Sequence, residues 1–200
     1  SGRAYLSKGF LEEAKMLAVK NVATFAPIIS EDCPLIGLEP SAILTFRDEY
    51  LRLAEDKEAA QELAKNVLTI EEFFKKEIIA GRIHSGQFST VEKQIKIHGH
   101  CHQKSLSAVE ATFTMLNVPK NNNVTIYNSG CCGMAGSFGY EAEHYDISMK
   151  MGEDTLFPKI RATEADVAIA AAGTSCRHQI YDGTSREAQH PVSILKSCLK

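Results

Sequence analysis

The chain has 200 residues, 44% of them apolar and 24% charged, with a formal net charge of −3. That size supports one large or two small domains with proper cores, and the mild acidity argues against a nucleic-acid partner, which would show a basic excess or stripe. No apolar run approaches the roughly 20 residues of a membrane-spanning helix and no signal peptide is visible, so the sequence reads as cytoplasmic, with a membrane-peripheral partner left open.

The first residue is Ser1, already in polar sequence, as expected of a piece cut from something longer. Leu6 to Ala26 is predicted as one amphipathic helix capped by Ser7, with Phe10, Ala14, Leu17, Ala18 and Val22 at helical spacing. Residues 34–39 read as a buried strand ending at Pro40, and Ser41 is placed to cap a helix running to about Leu53. Lys57 to Ala80 is predicted as one long helix, with Leu63, Val67, Ile70, Phe73 and Phe74 on one face. Residues 81–90 are polar and without periodicity, which makes them the expected boundary between a block at 1–88 and a block at 89–200.

In the second block, residues 93–98 alternate polar and apolar as a strand does, and Gln103 to Leu116 reads as the next helix. Residues 124–128 read as a strand, followed by a glycine-rich loop and helices over 141–151 and 154–162. The unbroken small apolar run 165–172 reads as a fully buried strand, and Pro191 opens a last short helix. Alternating strands and helices predict an α/β fold of parallel, Rossmann-like sheets with helices on both faces. The blocks resemble each other: residues 36–42 (IGLEPSA) lie over residues 170–176 (AAAGTSC), which sets Ala42 opposite Cys176. Residues 1–9 lie loosely over residues 132–139, so the reading is two pseudo-repeats, the first truncated to its back half.

Six cysteines are too few for a disulfide-stapled scaffold, and the vicinal pair Cys131-Cys132 would close a strained ring. Cys101, Cys131, Cys132 and Cys176 each follow a predicted strand and precede a predicted helix. Loops at the carboxyl ends of parallel strands gather along one edge, so three segments can deliver four thiols to one place. Glycines at 130, 133, 136 and 139 let the backbone approach a bulky ligand closely. A phosphate-cradling loop is the rival, although the spacing is not G-x-G-x-x-G. Cys176 is expected at a helix N-terminus, where a thiolate is stabilised. His98, His100 and His102 flank Cys101 and either cap or fill a core, or converge with the thiol if the chain turns at Gly99. A zinc site completed by His100, His102 or His178 is the alternative to a cluster, and direct thiol redox chemistry at Cys131 and Cys132 is a third reading. Cys33 and Cys198 are expected to be buried or incidental, while Glu39 is a candidate for the same sheet edge as the thiols.

The runs Gly37-Leu-Glu-Pro-Ser41, Arg47-Asp-Glu49, His98-Gly-His-Cys-His-Gln-Lys104, Gly130-Cys-Cys-Gly-Met-Ala-Gly-Ser-Phe-Gly-Tyr140 and Gly173-Thr-Ser-Cys-Arg-His-Gln179 carry a resemblance over nearly the whole chain. It is to the cysteine-rich CCG domain of heterodisulfide reductase and glycolate oxidase iron–sulfur subunits, and to the C-terminal part of FAD-linked D-lactate or 2-hydroxyacid oxidoreductases. The resemblance implies an iron–sulfur electron relay on Cys101, Cys131, Cys132 and Cys176. FAD and ferredoxin-type clusters would lie in upstream domains or subunits, and an acceptor such as quinone beyond. The family's C…CC…C-x-x-C pattern is incomplete here, since Gln179 stands at its last position. Four thiols match a [4Fe–4S] cluster by ligand count. On this reading the chain alone is catalytically inert.

Overall fold

A computed structural model describes all 200 residues and divides them into two compact units, Ser1–Ile70 and Glu71–Lys200. The first unit carries α1 (Arg3–Lys8), α2 (Leu11–Phe25), β1 (Leu35–Gly37), α3 (Pro40–Ile43), α4 (Glu49–Leu53), α5 (Lys57–Lys65) and β2 (Val67–Thr69). Strands β1 and β2 pair in parallel, Leu35 opposite Val67. Around them the buried faces of α2 (Ala14, Ala18, Val22) and α5 (Ala60, Leu63) accompany buried Leu44, Phe46 and Tyr50. The Tyr50 hydroxyl accepts from Asn21 at 2.7 Å and donates to the Ser1 carbonyl at 3.1 Å, so a buried phenol keeps both partners.

Two of the predicted helices in this unit are interrupted. The helix expected from Leu6 to Ala26 breaks at Gly9, whose φ of 80° ends α1, and Phe10 is exposed outside the core. The helix expected from Lys57 to Ala80 is cut by β2. Asn66 ends α5, its carbonyl accepts from Leu35 N at 2.9 Å, and Val67–Thr69 then extend beside β1. The spacing of Leu63, Val67 and Ile70 satisfies a helix, but Val67 and Thr69 are also β-branched, and the partner strand decides between the two.

The second unit opens with the remainder of α6 (Ile70–Ile79) and continues through β3 (Lys93–His98), α7 (Cys101–Leu106), α8 (Val109–Leu116), β4 (Asn122–Ile126), α9 (Tyr145–Arg161), β5 (Ala168–Ala171), α10 (Thr174–Thr184), β6 (Ala188–Gln189) and α11 (Pro191–Lys196). Its sheet is wholly parallel, in the order β4-β3-β5-β6. The division between units falls after Ile70, and Phe74, Ile83 and Phe88 pack into the core of the second unit.

Alternation along the strands sorts that core into two layers. Ile95, Ile97, Val124 and Ala170 face a layer with Val109, Met115, Leu116, Ile194 and Leu195 of α8 and α11. Ile169 and Ala171 face Leu156, Phe157, Ile160 and Ile180 of α9 and α10. Helices therefore cover both faces, as the period-2 pattern with unbroken apolar strands requires. The helices expected over 141–151 and 154–162 are one element, α9, and the one expected over 103–116 is two, parted at Ser107 and Ala108. No helix is long and apolar enough to cross a membrane.

Phe157 shows how tightly α9 and α10 meet. A Cβ on Gly152 or on Gly183 would lie 2.3 Å from its ring, so two glycines open the slot this phenyl fills. Phe157→Ala is expected to cost about 3–5 kcal/mol of stability in a denaturant titration. A value near 1 kcal/mol would mean the slot collapses around the smaller side chain.

Candidate metal centre

The chain runs from β3 to β4 on one side of the sheet, then crosses back to place β5 on the other side of β3. This reversal is the topological switch point, where the loops after β3 and β5 part and leave a crevice. Cys101 opens α7, immediately beyond β3. Cys131 and Cys132 lie in the loop after β4, and Cys176 lies in the first turn of α10, beyond β5. Cys101 Sγ is 3.7 Å from Cys131 Sγ, and Cys132 Sγ is 3.5 Å from Cys176 Sγ. Three segments thus bring the four predicted thiols into one row, running from exposed Cys101 through half-buried Cys131 to buried Cys132 and Cys176.

Close thiols cannot all ionise together, and the row divides accordingly. The Cys101 thiol donates to Cys131, and this bond, with further help from Cys132, the Gly133 N–H and His98, pushes the Cys131 pKa down. Cys132 donates to Cys176, whose pKa is driven well down by that bond and then by His98 and His100. The donors move the other way. Cys132 is raised by its thiolate neighbours Cys131 and Cys176 and by burial, and Cys101 by Cys131 and burial, against a smaller opposing effect of Lys104. The four thiols titrate as a coupled set, so a ligand needing all four as thiolates would displace protons on binding. In the metal-free chain, Cys131 is expected to stay reactive toward iodoacetamide as the pH is lowered, since a depressed pKa keeps its thiolate present. Cys101→Ala removes the leading cause and is expected to move that reactivity to higher pH, read by mass-spectrometric mapping.

The loop after β4 is held from several sides. Lys104 Nζ donates to the Ser129 carbonyl at 2.9 Å, Thr155 Oγ1 accepts from Gly130 N at 2.9 Å, and Lys159 binds the Asn128 carbonyl. Gly133, at φ 100°, is the tightest point, for a Cβ there would sit 2.0 Å from the Ser148 carbonyl oxygen. Gln179 is buried and donates to Ser148 Oγ at 2.9 Å. Ser148 in turn donates to the Gly133 carbonyl at 2.9 Å. Gln179 therefore braces the Cys-Cys loop from α10.

The histidines separate. His100 is the N-cap of α7, its Nδ1 accepting from His102 N at 3.2 Å, and its ring lies 5.4 Å from that of His102 in a stack. His178 Nδ1 sits 2.9 Å from the exposed Tyr140 hydroxyl. The histidine at the sulfurs is instead His98, the last residue of β3, which the strand pattern leaves among capping or core possibilities. It is 1% exposed, and a ring nitrogen lies within 4.8 Å of the sulfurs of Cys132 and Cys176. Sheet alternation held the signal: Ile95 and Ile97 face one layer, so His98 faces the other, which contains Cys132 and Cys176.

The remaining candidates lie elsewhere. Cys198 is core, its thiol donating to the Ile194 carbonyl at 3.4 Å, whereas Cys33 is exposed. Glu39 is the N-cap residue of α3 in the first unit and accepts from Ser41 Oγ at 3.0 Å, and Arg47 donates to the Val67 carbonyl at 2.9 Å. Gly173 is the N-cap residue of α10, and a Cβ there would meet the His100 ring at 2.4 Å. Arg177 secures the turn from within α10 through the carbonyls of Ala171 and Ala172, at 2.8 and 2.7 Å.

No family model matches the chain, and no solved structure matches it. Among curated proteins it is similar to D-2-hydroxyglutarate dehydrogenase of Haemophilus influenzae, 28% identical over 216 residues, and of Escherichia coli, 27% identical over 202 residues. These matches cover 100% of this chain but 20% and 19% of the two relatives. It is also similar to one subunit of the anaerobic glycerol-3-phosphate dehydrogenase of Escherichia coli, 24% identical over 99% of this chain and 49% of that protein. The relatives are dehydrogenases, hence oxidoreductases, and the chain spans about a fifth to a half of their length.

Proposed function

We propose that the chain is the iron–sulfur electron-transfer part of a multidomain oxidoreductase that oxidises a 2-hydroxy acid at a flavin held elsewhere. The observation that carries this reading is the row of four thiols delivered by three loops to the switch point of a parallel sheet. The similarity to dehydrogenases much longer than the chain supports it. The donor set fits a cluster: four cysteines, a buried inner pair, and a glycine loop that leaves no room for a side chain at Gly133. Cys101, Cys131, Cys132 and Cys176 would hold it, and when bound it would supply one-electron transfer. The chain's own residues orient the thiols (Gly133, Ser148, Gln179), stabilise thiolate (His98, Cys101 and Cys132 as donors) and bury the inner pair from water. Flavin and ferredoxin-type domains upstream, and a quinone-type acceptor, are the proposed partners. The chain's own two units we read as a truncated and a complete CCG-type repeat.

A single zinc ion is the second reading, favoured by the grouping of His98 with Cys132 and Cys176. One ion bound by four thiolates at about 2.3 Å would need every sulfur pair near ~3.8 Å. Here the group within 4.8 Å consists of His98, Cys132 and Cys176, and Cys131 and Cys101 continue the row outward. That spread suits a polynuclear centre better than one ion. Anaerobic reconstitution with iron and sulfide decides between them. About four iron atoms per chain and an EPR signal on reduction are expected. Stoichiometric zinc as purified, with no iron uptake, would overturn the cluster reading.

A further inference from the structure

We propose that His98 is a positioning residue of the thiol site, its Nε2–H donating a hydrogen bond to the inner sulfurs and thereby raising the reduction potential of the centre they hold. The ring's placement beside the inner sulfurs is independent of the cluster reading, on which the effect on potential rests. His98 is almost wholly buried, and its Nε2 is without a hydrogen-bond partner. An orphaned buried polar group is costly, so a fold that keeps one at a site implies that something there completes it. The group facing this ring is the sulfur pair of Cys132 and Cys176.

The other ring nitrogen has a partner able to favour this tautomer. Nδ1 lies 3.0 Å from Ser129 Oγ, and the Ser129 carbonyl is fixed by Lys104, so the hydroxyl is held where it can donate to Nδ1. A proton donated to Nδ1 leaves the ring's own proton on Nε2, directed toward the sulfurs. The ring is buried at the end of the central strand β3, whose backbone pairs His98 with Ala171 of β5. Hydrogen bonds to ligating sulfur stabilise the more negative, reduced state, which raises the potential. His98 is thus assigned a task different from that of the four cysteines: it sets energy and does not bind metal. The opposite tautomer would present a lone pair to the pocket and make His98 a metal ligand.

Two measurements test this. Nitrogen-15 histidine NMR of the metal-free chain is expected to show His98 as the Nε2–H tautomer, and the Nδ1–H tautomer would overturn the hydrogen bond. In the reconstituted chain, His98→Ala is expected to keep the iron count of the unaltered chain while lowering its midpoint potential, and His98→Gln, which retains an N–H donor, to recover part of the shift. Loss of iron in His98→Gln would make His98 a ligand, and an unchanged potential in His98→Ala would remove its tuning role. Should the unaltered chain take up no iron, the cluster reading fails together with the effect on potential, while the NMR result still decides the hydrogen bond. Should His98→Ala fail to fold, His98→Gln and the tautomer measurement carry the test.

Discussion

Exchanging Cys132 or Cys176 for serine is expected to cut iron uptake from about four atoms per chain to below one. Both sulfurs are buried, each faces the other at 3.5 Å, and both lie beside His98. A serine hydroxyl in that place is a hard, poorly ionised donor that neither replaces thiolate nor changes side-chain volume enough to unfold the core. Circular dichroism should therefore stay native while iron and sulfide analysis collapses. Cys101 is exposed at the outer end of the row, so Cys101→Ser should leave a partially loaded, oxygen-sensitive centre in place of an empty one. Cys198→Ser and Cys33→Ser serve as controls, since one lies in the core beside α11 and the other is exposed in the first unit. Full iron in Cys132→Ser would sink the four-thiol assignment.

Gly133→Ala should damage both stability and the site. The backbone there has φ 100°, where an L side chain is strained, and the added methyl would meet the Ser148 carbonyl oxygen at 2.0 Å. Backbone strain of about 1–3 kcal/mol adds to an overpacking cost of similar size. The neighbour to be displaced is main chain of α9, and Ser148 Oγ also bridges Gln179 to the Gly133 carbonyl. The expected result is a loss of about 3 kcal/mol or more, hence a Tm lower by roughly 10 °C, read by calorimetry. Iron uptake should fall with it, because the same movement carries Cys132 away from Cys176. A mild loss, under about 1 kcal/mol, would show the loop to be free enough to yield.

Much of the site was legible before any coordinates. A cysteine after each of three predicted strands places the thiols on one sheet edge, provided the sheet is parallel, and β3, β4 and β5 are parallel neighbours. Strand β3 matches its predicted span residue for residue, because alternation over Lys93–His98 admits no helical alternative. Strand β2 was hidden, since Val67 and Ile70 complete a helical stripe with Leu63 and only the edge of β1 offers the competing hydrogen bonds. His98 was hidden for a related reason. Three histidines at spacing two look equivalent, and only the turn at Gly99 keeps His98 in the strand while His100 becomes a helix cap.

Local order in the residues was enough to determine the α/β class, the buried character of β5, and which four thiols follow strands. These are properties of short-range periodicity and of residue chemistry, and they survive without knowledge of the neighbours. Tertiary structure alone decided that Cys101 pairs with Cys131 and Cys132 with Cys176, that Gln179 braces the loop through Ser148, and that His98 faces the inner sulfurs. Each of these joins segments tens of residues apart, and such distances follow from strand order and register, which no local pattern encodes.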